Sequence, residues 1–380
     1  MKILHVVIGE RYIEGMSYQE NILPKKHKDL GYDTYLIASQ RIDCSTFVDT
    51  GEYINKAGVK VSILKCRSKK FWMYVFFDKC IGFKEKLYSI KPDIIFIHGI
   101  VFKDIRHIIS YKKEFSGTHI FADSHNDYYN SPVSKLEKIL LKYFYLKRIE
   151  KFIPYCERFW GTTPWRVDYL HDVYQIPKEK TDLLQMGGDE CLIPAETENK
   201  LKIRRFVRNE YNIPDDSFLV VTGGRLDRRK QQTLLMNAIR QLSGKNIYLL
   251  VFGNPTLDME DEINEYKDIE NIRLIGKIHP DNIYNMFIAS DLAVFPGTHS
   301  VLWEQAIACG IPTVFKHWSG MEHVNICNNA ILLDNVSVET LKKTIESLLL
   351  TSQYYKLKQM SEKAMHVFEY SKIAKKAIAR

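Results

Sequence analysis

The chain has 380 residues, of which 45% are hydrophobic and 26% charged, the balance of a soluble globular protein. Its 54 Lys and Arg against 46 Asp and Glu give a net charge of +8, but no nucleic-acid-binding module accompanies this bias. We therefore exclude nucleic acid as a partner. No apolar run reaches the roughly 18 residues of a membrane span, and MKILHVVIGE has the pattern of a strand rather than a signal peptide. These features predict a cytoplasmic protein.

The first half of the chain alternates predicted strands with helical patterns. A loop with Gly9 and Gly15 follows the first strand, and a helix is predicted around 19–30. This alternation predicts a parallel, doubly wound sheet. The predicted strands are 1–7, 34–39, 60–66, 93–99, 119–125, a segment near 159–162, and 183–189.

A polar segment, 196–209, reads as a linker entering a helix, and the alternation then starts again. Strands are predicted at 218–224, 247–253, 272–276, 292–296, 312–315 and 330–334, with helices from Val338 onward. We expect two Rossmann-like α/β domains, 1–195 and 196–365, facing a central cleft, with a C-terminal helix in 366–380 that packs back toward the first domain. In such sheets, ligands bind outside the carboxyl ends of the strands.

The most informative segment is 291–314, DLAVFPGTHSVLWEQAIACGIPTV. A buried strand is predicted to end at Pro296, and a small turn leads into a helix. Backbone N–H groups at such a helix start favour an anion. Glu304, one turn inside, is placed to reach a hydroxyl group beside that anion, as in a pyrophosphate next to a ribose. The turn consists of Gly297, Thr298, His299 and Ser300.

Cations for that anion are predicted from 220–230, VVTGGRLDRRK. Another apolar strand enters Gly223 and Gly224, followed by Arg225 and Lys230. Arg225 can bind phosphate oxygens with its planar fork, and Lys230 adds a point charge. A Gly-Gly turn with basic neighbours is usually a solvated loop, but the two segments together are more specific.

A third polar group follows the strand at 119–125, in ADSHNDY. Asp123, His125 and Asp127 are two residues apart along an extended chain and so share one side. His125 with either Asp can serve as a base or contact an acceptor. The alternative is that these groups cap the following segment. His98, at the end of the neighbouring strand, is expected to be structural.

No metal or cofactor site is expected. No DxD pattern is present, and Asp215 and Asp216 follow Pro214 in a predicted solvated turn. The seven cysteines lack CxxC spacing and predict neither disulfides nor zinc.

Two segments combine basic and aromatic residues: 67–86 and 135–151. Such segments can lie in a membrane interface and attract anionic lipid headgroups. The alternative is ordinary packing of an aromatic-rich domain with lysines extended to solvent. We expect peripheral contact with an anionic membrane through these two segments.

Taken together, the chain resembles the GT-B glycosyltransferases, and most of all the family 4 type of bacterial capsule and lipopolysaccharide synthesis. The resemblance covers nearly the whole chain, and its most specific parts are GGRLDRRK at 223–230 and EQAIACGIPTV at 304–314. It implies that Arg225 and Lys230 bind the donor diphosphate and that Glu304 binds the nucleotide ribose.

The resemblance implies further contacts on the donor and acceptor sides. Backbone atoms of Gly276, Lys277 and Ile278 would lie near the nucleotide base. The loop with Gly15 would lie against the donor phosphates or the acceptor. SGMEHV at 319–324 resembles a family turn that would place Glu322 near the donor, although an acid favoured at a helix start is an equal explanation.

One departure affects the sugar. Family 4 members usually carry two glutamates separated by seven residues, the first of which contacts the donor sugar. Here Pro296 stands eight positions before Glu304, and the turn is shortened. His299 is a candidate for part of the missing role; the alternative is a solvent-facing turn histidine. The resemblance implies retaining transfer, with inverting transfer as the alternative that this departure opens.

The sequence thus predicts an enzyme that transfers a sugar from a nucleoside-diphosphate sugar, most simply a UDP-sugar, to a glycan or lipid-linked acceptor. The second domain would bind the donor and the first the acceptor, without a metal ion, at the inner face of the plasma membrane. Two alternatives share the architecture. They are a non-hydrolysing nucleotide-sugar epimerase and a catalytically silent scaffold subunit.

Overall fold

The structure is a computed structural model that describes residues 1–43, 45–66, 80–128 and 145–379. The chain divides into two compact units. The first comprises Met1–Gln185 with Ser371–Arg380, and the second Met186–Tyr370. The first division lies ten residues before the predicted boundary at 195, and the last residues of the chain group with the first unit.

The first unit contains an eight-stranded sheet with the order β3-β4-β2-β1-β5-β6-β7-β8. Every neighbouring pair is parallel except β3 and β4. The strands are β1 (Lys2–Val7), β2 (Asp33–Ser39), β3 (Gly51–Ile54), β4 (Lys60–Leu64), β5 (Ile94–His98), β6 (His119–Ser124), β7 (Arg158–Gly161) and β8 (Thr181–Leu183).

Helices connect these strands, as parallel pairing requires. The helices described in this unit are α1 (Gln19–Asp29), α2 (Phe83–Ile90), α3 (Ile105–Glu114), α4 (Leu146–Phe152) and α5 (Pro164–Asp172), and the C-terminal residues add a last one, Tyr370–Ala377. Because helices cover the sheet, its central strands are buried along their length, and all five residues of β5 are buried.

The second unit contains a six-stranded sheet, all parallel, with the order β11-β10-β9-β12-β13-β14. The chain order reverses between β9 and β12, which makes the carboxyl ends of these two strands the topological switch point, where open α/β sheets bind ligands. The strands are β9 (Phe218–Gly223), β10 (Ile247–Phe252), β11 (Ile272–Gly276), β12 (Leu292–Phe295), β13 (Thr313–Lys316) and β14 (Ala330–Leu333).

The helices described in the second unit continue the numbering, and two clusters of buried apolar residues fill its core. They are α6 (Thr197–Glu210), α7 (Gln232–Arg240), α8 (Glu260–Asn264), α9 (Ile283–Ala289), α10 (Leu302–Ala308), α11 (Val338–Leu348) and α12 (Ser352–Ala364); the final helix, α13 (Tyr370–Ala377), is the one grouped mainly with the first unit.

Two parallel sheets with covering helices confirm the predicted α/β fold class of two Rossmann-like domains. Two details differ from prediction. The short antiparallel strand β3 was not predicted, and the strand predicted at 183–189 ends at Leu183. Beyond it, the N–H of Gly188 donates to the carbonyl of Phe368, so this part of the chain is hydrogen bonded outside the sheet.

The basic-aromatic segments fall mostly outside the described residues: 67–79 of the first and 135–144 of the second are not described. Within the described remainder, Phe83 and Ile149 belong to the core of the first unit. Among the helices that the structure describes, none combines the length and apolar character needed to cross a bilayer.

Candidate functional site

The two segments singled out in the second half of the sequence are in contact at the switch point. The N–H of Thr298 donates to the carbonyl of Arg229 over 3.0 Å. A Cβ atom on Gly297 would lie 2.3 Å from the Arg229 carbonyl oxygen and 2.4 Å from the Lys230 Cα. Only glycine fits this approach, so the turn after β12 and the loop after β9 form one structure.

The Lys230 ammonium group ties the turn from the other side. Its Nζ donates to the carbonyl oxygens of Thr298, at 2.7 Å, and His299, at 2.8 Å. An ammonium group has three N–H donors, so one remains after these two bonds. Burial lowers the pKa of Lys230 to about 8, with Asp227 acting in the opposite direction.

Glu304 lies in the first turn of α10 and is fully buried. Its Oε1 accepts hydrogen bonds from Nε2 of His299, at 2.7 Å, and from Nε2 of His323, at 3.0 Å. Its other oxygen, Oε2, is also buried and has no hydrogen-bond partner among the described residues. The site therefore holds a buried, oriented carboxylate, one oxygen of which receives no hydrogen bond from the described residues.

The electrostatics of this group favour the carboxylate form. Burial acts to raise the pKa of Glu304, but the charge and hydrogen bond of His299, followed by those of His323, hold the pKa well below its usual range. The His299 ring is 7% exposed and stands edge-on to Trp303 at 5.2 Å, so this turn histidine is not solvent-facing.

His323 was missed by the sequence reasoning, which selected its neighbour Glu322 from the same turn. Glu322 is exposed, and its carboxylate lies 3.6 Å from Nε2 of His317. His323 is the residue of this turn that contacts Glu304. A histidine 19 residues from its partner gives no signal in sequence spacing.

The glycine ends of three parallel strands lie side by side next to this group. The N–H of Gly224 donates to the carbonyl of Phe252 over 3.0 Å, and that of Gly253 donates to Gly276 over 2.6 Å. Gly224 (φ 99°) and Gly276 (φ 67°) both adopt the left-handed conformation that favours glycine. Lys277 is exposed and Ile278 is half-buried beside a hydrophobic cluster.

Arg225 follows Gly224 with its side chain exposed, and its carbonyl oxygen accepts a bond from Gln232 Nε2. Leu302, the first residue of α10, would lie 3.0 Å from a Cβ on Gly224. The carbonyl of Ser300 accepts the N–H of Trp303 at the start of the same helix. Trp303 itself is buried and stacks on Phe315.

In the first unit, Asp123 and His125 are brought together and Asp127 is directed elsewhere. Asp123 Oδ1 lies 3.8 Å from Nε2 of His125. Asp127 is paired with Arg166 of α5, whose Nε lies 3.3 Å from Asp127 Oδ2. Of the two aspartates, Asp123 is the one that faces His125.

The pKa of His125 is raised and the pKa of Asp123 is lowered, so both side chains favour their charged forms. Burial opposes the charge on His125, but the neighbouring Asp123 carboxylate and the nearby Glu20 raise its pKa to about 9. Burial likewise acts to raise the pKa of Asp123, yet His98 and His125 hold it well below its usual range. Burial raises the pKa of Glu10, in the loop after β1, to about 7. Gly15, in the same loop, has φ 78°.

Two groups of side chains in the described residues have the composition of a metal site. His299, Glu304 and His323 offer ligand atoms that all lie within 4.8 Å of one another, as do Asp189, Glu190 and Cys191. In the first group the Nε2 atoms are at hydrogen-bond distance from the carboxylate. Among the described residues, the buried Nδ1 of His323 has no hydrogen-bond partner, whereas a metal-ligating histidine usually donates its other N–H to an acceptor. This arrangement fits a hydrogen-bonded carboxylate better than a metal centre.

The chain is similar to known glycosyltransferases in part of its sequence and in its fold. Residues 203–367 match the family model described as glycosyl transferases group 1. No curated protein sequence matches the chain. Among solved structures, a glycosyltransferase from Rickettsia africae aligns with 99% of this chain and 96% of its own, with a TM-score of 0.70 and 16% identity.

Two other solved structures align over nearly the full length of both chains. Sucrose-phosphate synthase from Thermosynechococcus elongatus gives a TM-score of 0.68 at 16% identity, over 99% of this chain and 97% of its own. Anabaena HepE, solved with UDP and glucose, gives 0.63 at 14% identity, over 99% and 98%. The fold is GT-B, as predicted. With the match over 203–367, it supports a glycosyltransferase.

Proposed function

We propose that the chain transfers a sugar from a nucleoside-diphosphate sugar, most simply a UDP-sugar, and that the second unit binds this donor. The observation that carries the proposal is the buried Glu304 carboxylate. Its Oε2 has no partner in the described residues, while two histidines hold Oε1. A ribose hydroxyl would supply the missing hydrogen bond.

The diphosphate would lie on the strand ends beside this carboxylate. Lys230 has one ammonium N–H left, and the exposed Arg225 follows Gly224 at the end of β9. Fixed cations of this kind stabilise the negative charge that builds on a departing diphosphate. The N–H of Thr298 already donates to Arg229, so it adds no donor to the diphosphate.

On the acceptor side, we propose that His125 contacts the acceptor or its proton, with Asp123 as its partner. Asp127 would act through Arg166, which it contacts. His299 would help to replace the sugar-contacting glutamate that family 4 members carry where this chain has Pro296. Retaining transfer, without a metal ion, is the outcome that the family resemblance suggests.

The biological setting belongs to the same proposal. We place the enzyme in the cytoplasm at the inner face of the membrane, in the synthesis of a bacterial capsule or lipopolysaccharide. A resemblance of fold to WaaG, a lipopolysaccharide glycosyltransferase, at 14% identity supports this choice without deciding it. Flotation with anionic liposomes tests membrane contact; protein that stays at the bottom at low salt contradicts it.

Calorimetry with UDP, GDP and CMP tests the donor site. We expect UDP to bind. Glu304→Gln should lower the UDP affinity about tenfold or more, because a hydrogen bond to a charged group contributes about 1.5–3 kcal/mol. Glu198→Gln, at an exposed glutamate of α6, is the matched control and should bind like the wild type. Absence of nucleotide binding would overturn the donor site and leave a silent scaffold.

A donor screen by mass spectrometry, with a membrane extract as acceptor, tests transfer. The expected product carries the sugar on an extract component, and none forms without the extract. A changed nucleotide sugar in the absence of acceptor would instead identify an epimerase.

A further inference from the structure

A line of buried histidines crosses the first unit. His27 of α1, His5 of β1 and His98 of β5 are each fully buried and lead to Asp123 of β6. Nε2 of His27 contacts the carbonyl oxygen of Ala374 at 2.8 Å. His27 Nδ1 lies 3.0 Å from His5 Nε2, and His5 Nδ1 lies 3.0 Å from His98 Nε2. His98 Nδ1 lies 2.9 Å from Asp123 Oδ2.

The number of protons in this line follows from its two ends. Both the Ala374 carbonyl and an ionised Asp123 carboxylate can only accept hydrogen bonds. Each of the four contacts therefore needs a proton from an imidazole. Three neutral imidazoles carry one N–H each, one fewer than the contacts require. The count is the same whichever tautomers the rings adopt.

We propose that the line holds one excess proton, carried by the ring of His98, and that His27, His5 and His98 are positioning residues that fix the Asp123 carboxylate beside His125. Without that proton, one contact would bring two lone pairs together in a buried site. An unsatisfied buried polar group costs about 1–3 kcal/mol, and more when it is charged.

The neighbouring groups favour this position for the charge. Burial, followed by the other two histidines, lowers the pKa of His5 well below its usual range, and burial lowers the pKa of His27 to about 4. These two rings thus stay neutral. The N–H of Gly99 donates to Asp123 Oδ1 at 3.2 Å, which favours the carboxylate over the acid.

Other titratable groups surround the two ends of the line. Tyr32 stands edge-on to the ring of His27. Glu10, Glu20 and His125 lie around the Asp123 end, where Glu10 interacts with Asp123, His98 and His125. Glu10 interacts with His98, and its ionised form stabilises an imidazolium at that position.

The line of histidines fixes the direction in which the Asp123 carboxylate points. His98 occupies Asp123 Oδ2, so Oδ1 is the oxygen that points toward His125, 3.8 Å away. The line therefore connects the C-terminal helix, through Ala374, to the residue that we place on the acceptor side. This functional consequence rests on the proposed function, whereas the proton count does not.

Long-range proton–nitrogen NMR of the full-length protein, labelled with 15N-histidine, tests the proton count near pH 7.5. We expect the His98 ring to be protonated on both nitrogens, and the His27 and His5 rings to be neutral and protonated on Nε2. The His125 ring, whose pKa is raised to about 9, gives a separate imidazolium signal. Three neutral rings, or a protonated Asp123 side chain, would overturn the proposal. The wild-type spectrum alone decides this, whether or not a variant folds.

Two variants sharpen the measurement. Asp123→Asn supplies an amide N–H to His98 Nδ1, so all four contacts can be made by neutral rings and the imidazolium signal of His98 should disappear. In His27→Gln, the amide oxygen can accept from His5 and the amide nitrogen can donate to Ala374, so the His98 signal should remain. A His98 imidazolium that persists in Asp123→Asn contradicts the proposal.

A kinetic readout separates this inference from the proposed function. In an active transferase, His5→Gln should shift the pH profile of transfer with little change in donor KM. An unshifted profile would refute the positioning role. A protein with the excess proton but no transfer activity would refute the proposed function and leave the proton count standing.

Discussion

His323 and His299 donate to the same oxygen of Glu304, at 3.0 and 2.7 Å, from opposite sides in sequence. His299 precedes α10, while His323 comes after β13. Two imidazole N–H groups on one oxygen fix the carboxylate plane, which leaves Oε2 in a defined direction.

His323→Gln should weaken UDP binding about threefold to tenfold, because Glu304 loses one of the two donors that orient it. Calorimetry measures the affinity, and urea denaturation should show a loss of about 1 kcal/mol or more, since one buried charge-assisted bond is disturbed. His317→Gln is the control: His317 lies six residues earlier, is partly exposed, and contacts Asp334 rather than Glu304. Equal affinities in the two variants would contradict the role of His323.

Much of the fold was predictable because its strands are apolar along their length. The strands of the second unit were all predicted within one or two residues. The central strands β9 and β12 are buried along their whole length, as strands covered by helices on both faces are. The strand β3 was missed because all four of its residues, Gly51–Ile54, are exposed and carry no apolar pattern. The segment after Leu183 resembled a strand, but while Leu184 still bonds to the sheet, through Gly161, the N–H of Gly188 donates to Phe368.

The contact between 223–230 and 297–300 was expected from two motifs that end on neighbouring strands. The histidine partners were not, because their contacts join residues far apart in the chain. His5 and His98 are 93 residues apart, and a single polar residue in each apolar strand was the available signal. Nothing in the sequence marked His323 as a partner of Glu304. The family resemblance pointed instead to its neighbour, Glu322.

Gly297→Ala should destabilise the protein and weaken nucleotide binding together. The added Cβ would lie 2.3 Å from backbone atoms of Arg229 and Lys230, so the turn must move away from the loop after β9. We expect a loss of about 1–3 kcal/mol of unfolding free energy, as for other overpacked sites. Gly117→Ala, where a Cβ meets nothing within 4 Å, is the control and should be nearly neutral. A silent Gly297→Ala would mean that the turn does not pack as described.

Nucleotide affinity should fall as the pH rises past about 8. Burial lowers the pKa of Lys230 to about 8, so the ammonium is charged below that pH and loses its charge above it. A bound diphosphate favours the charged form, so binding takes up a proton at higher pH and affinity declines, by up to about tenfold per pH unit. Calorimetry of UDP from pH 7 to 9.5 measures this, and Lys230→Met should bind weakly with little pH dependence. A wild-type affinity that stays constant across this range would contradict a diphosphate contact by Lys230.

Chelation should leave nucleotide binding unchanged. The Nε2 atoms of His299 and His323 lie at hydrogen-bond distance from Glu304, and the proposed charge stabilisation comes from Arg225 and Lys230. Calorimetry with UDP before and after dialysis against EDTA should give the same Kd. A loss of affinity that zinc restores, and that His323→Gln abolishes, would identify the three residues as a metal site.

Stability should depend on pH through His125. Its pKa is raised from the ordinary 6.5 to about 9 in the folded protein, so the folded state holds the proton more tightly than the unfolded state. The contribution of charged His125 to the free energy of unfolding is therefore complete below pH 6.5, and it is lost as the pH rises through about 9. With roughly 1.4 kcal/mol per unit of pKa shift, the full contribution is on the order of 3 kcal/mol before solvent screening reduces it. Urea denaturation of the wild type and His125→Gln at pH 6 and pH 9.5 measures the difference, which should be largest at pH 6 and nearly vanish at pH 9.5. A difference that is the same at both values would show that Asp123 does not hold His125 in its charged form.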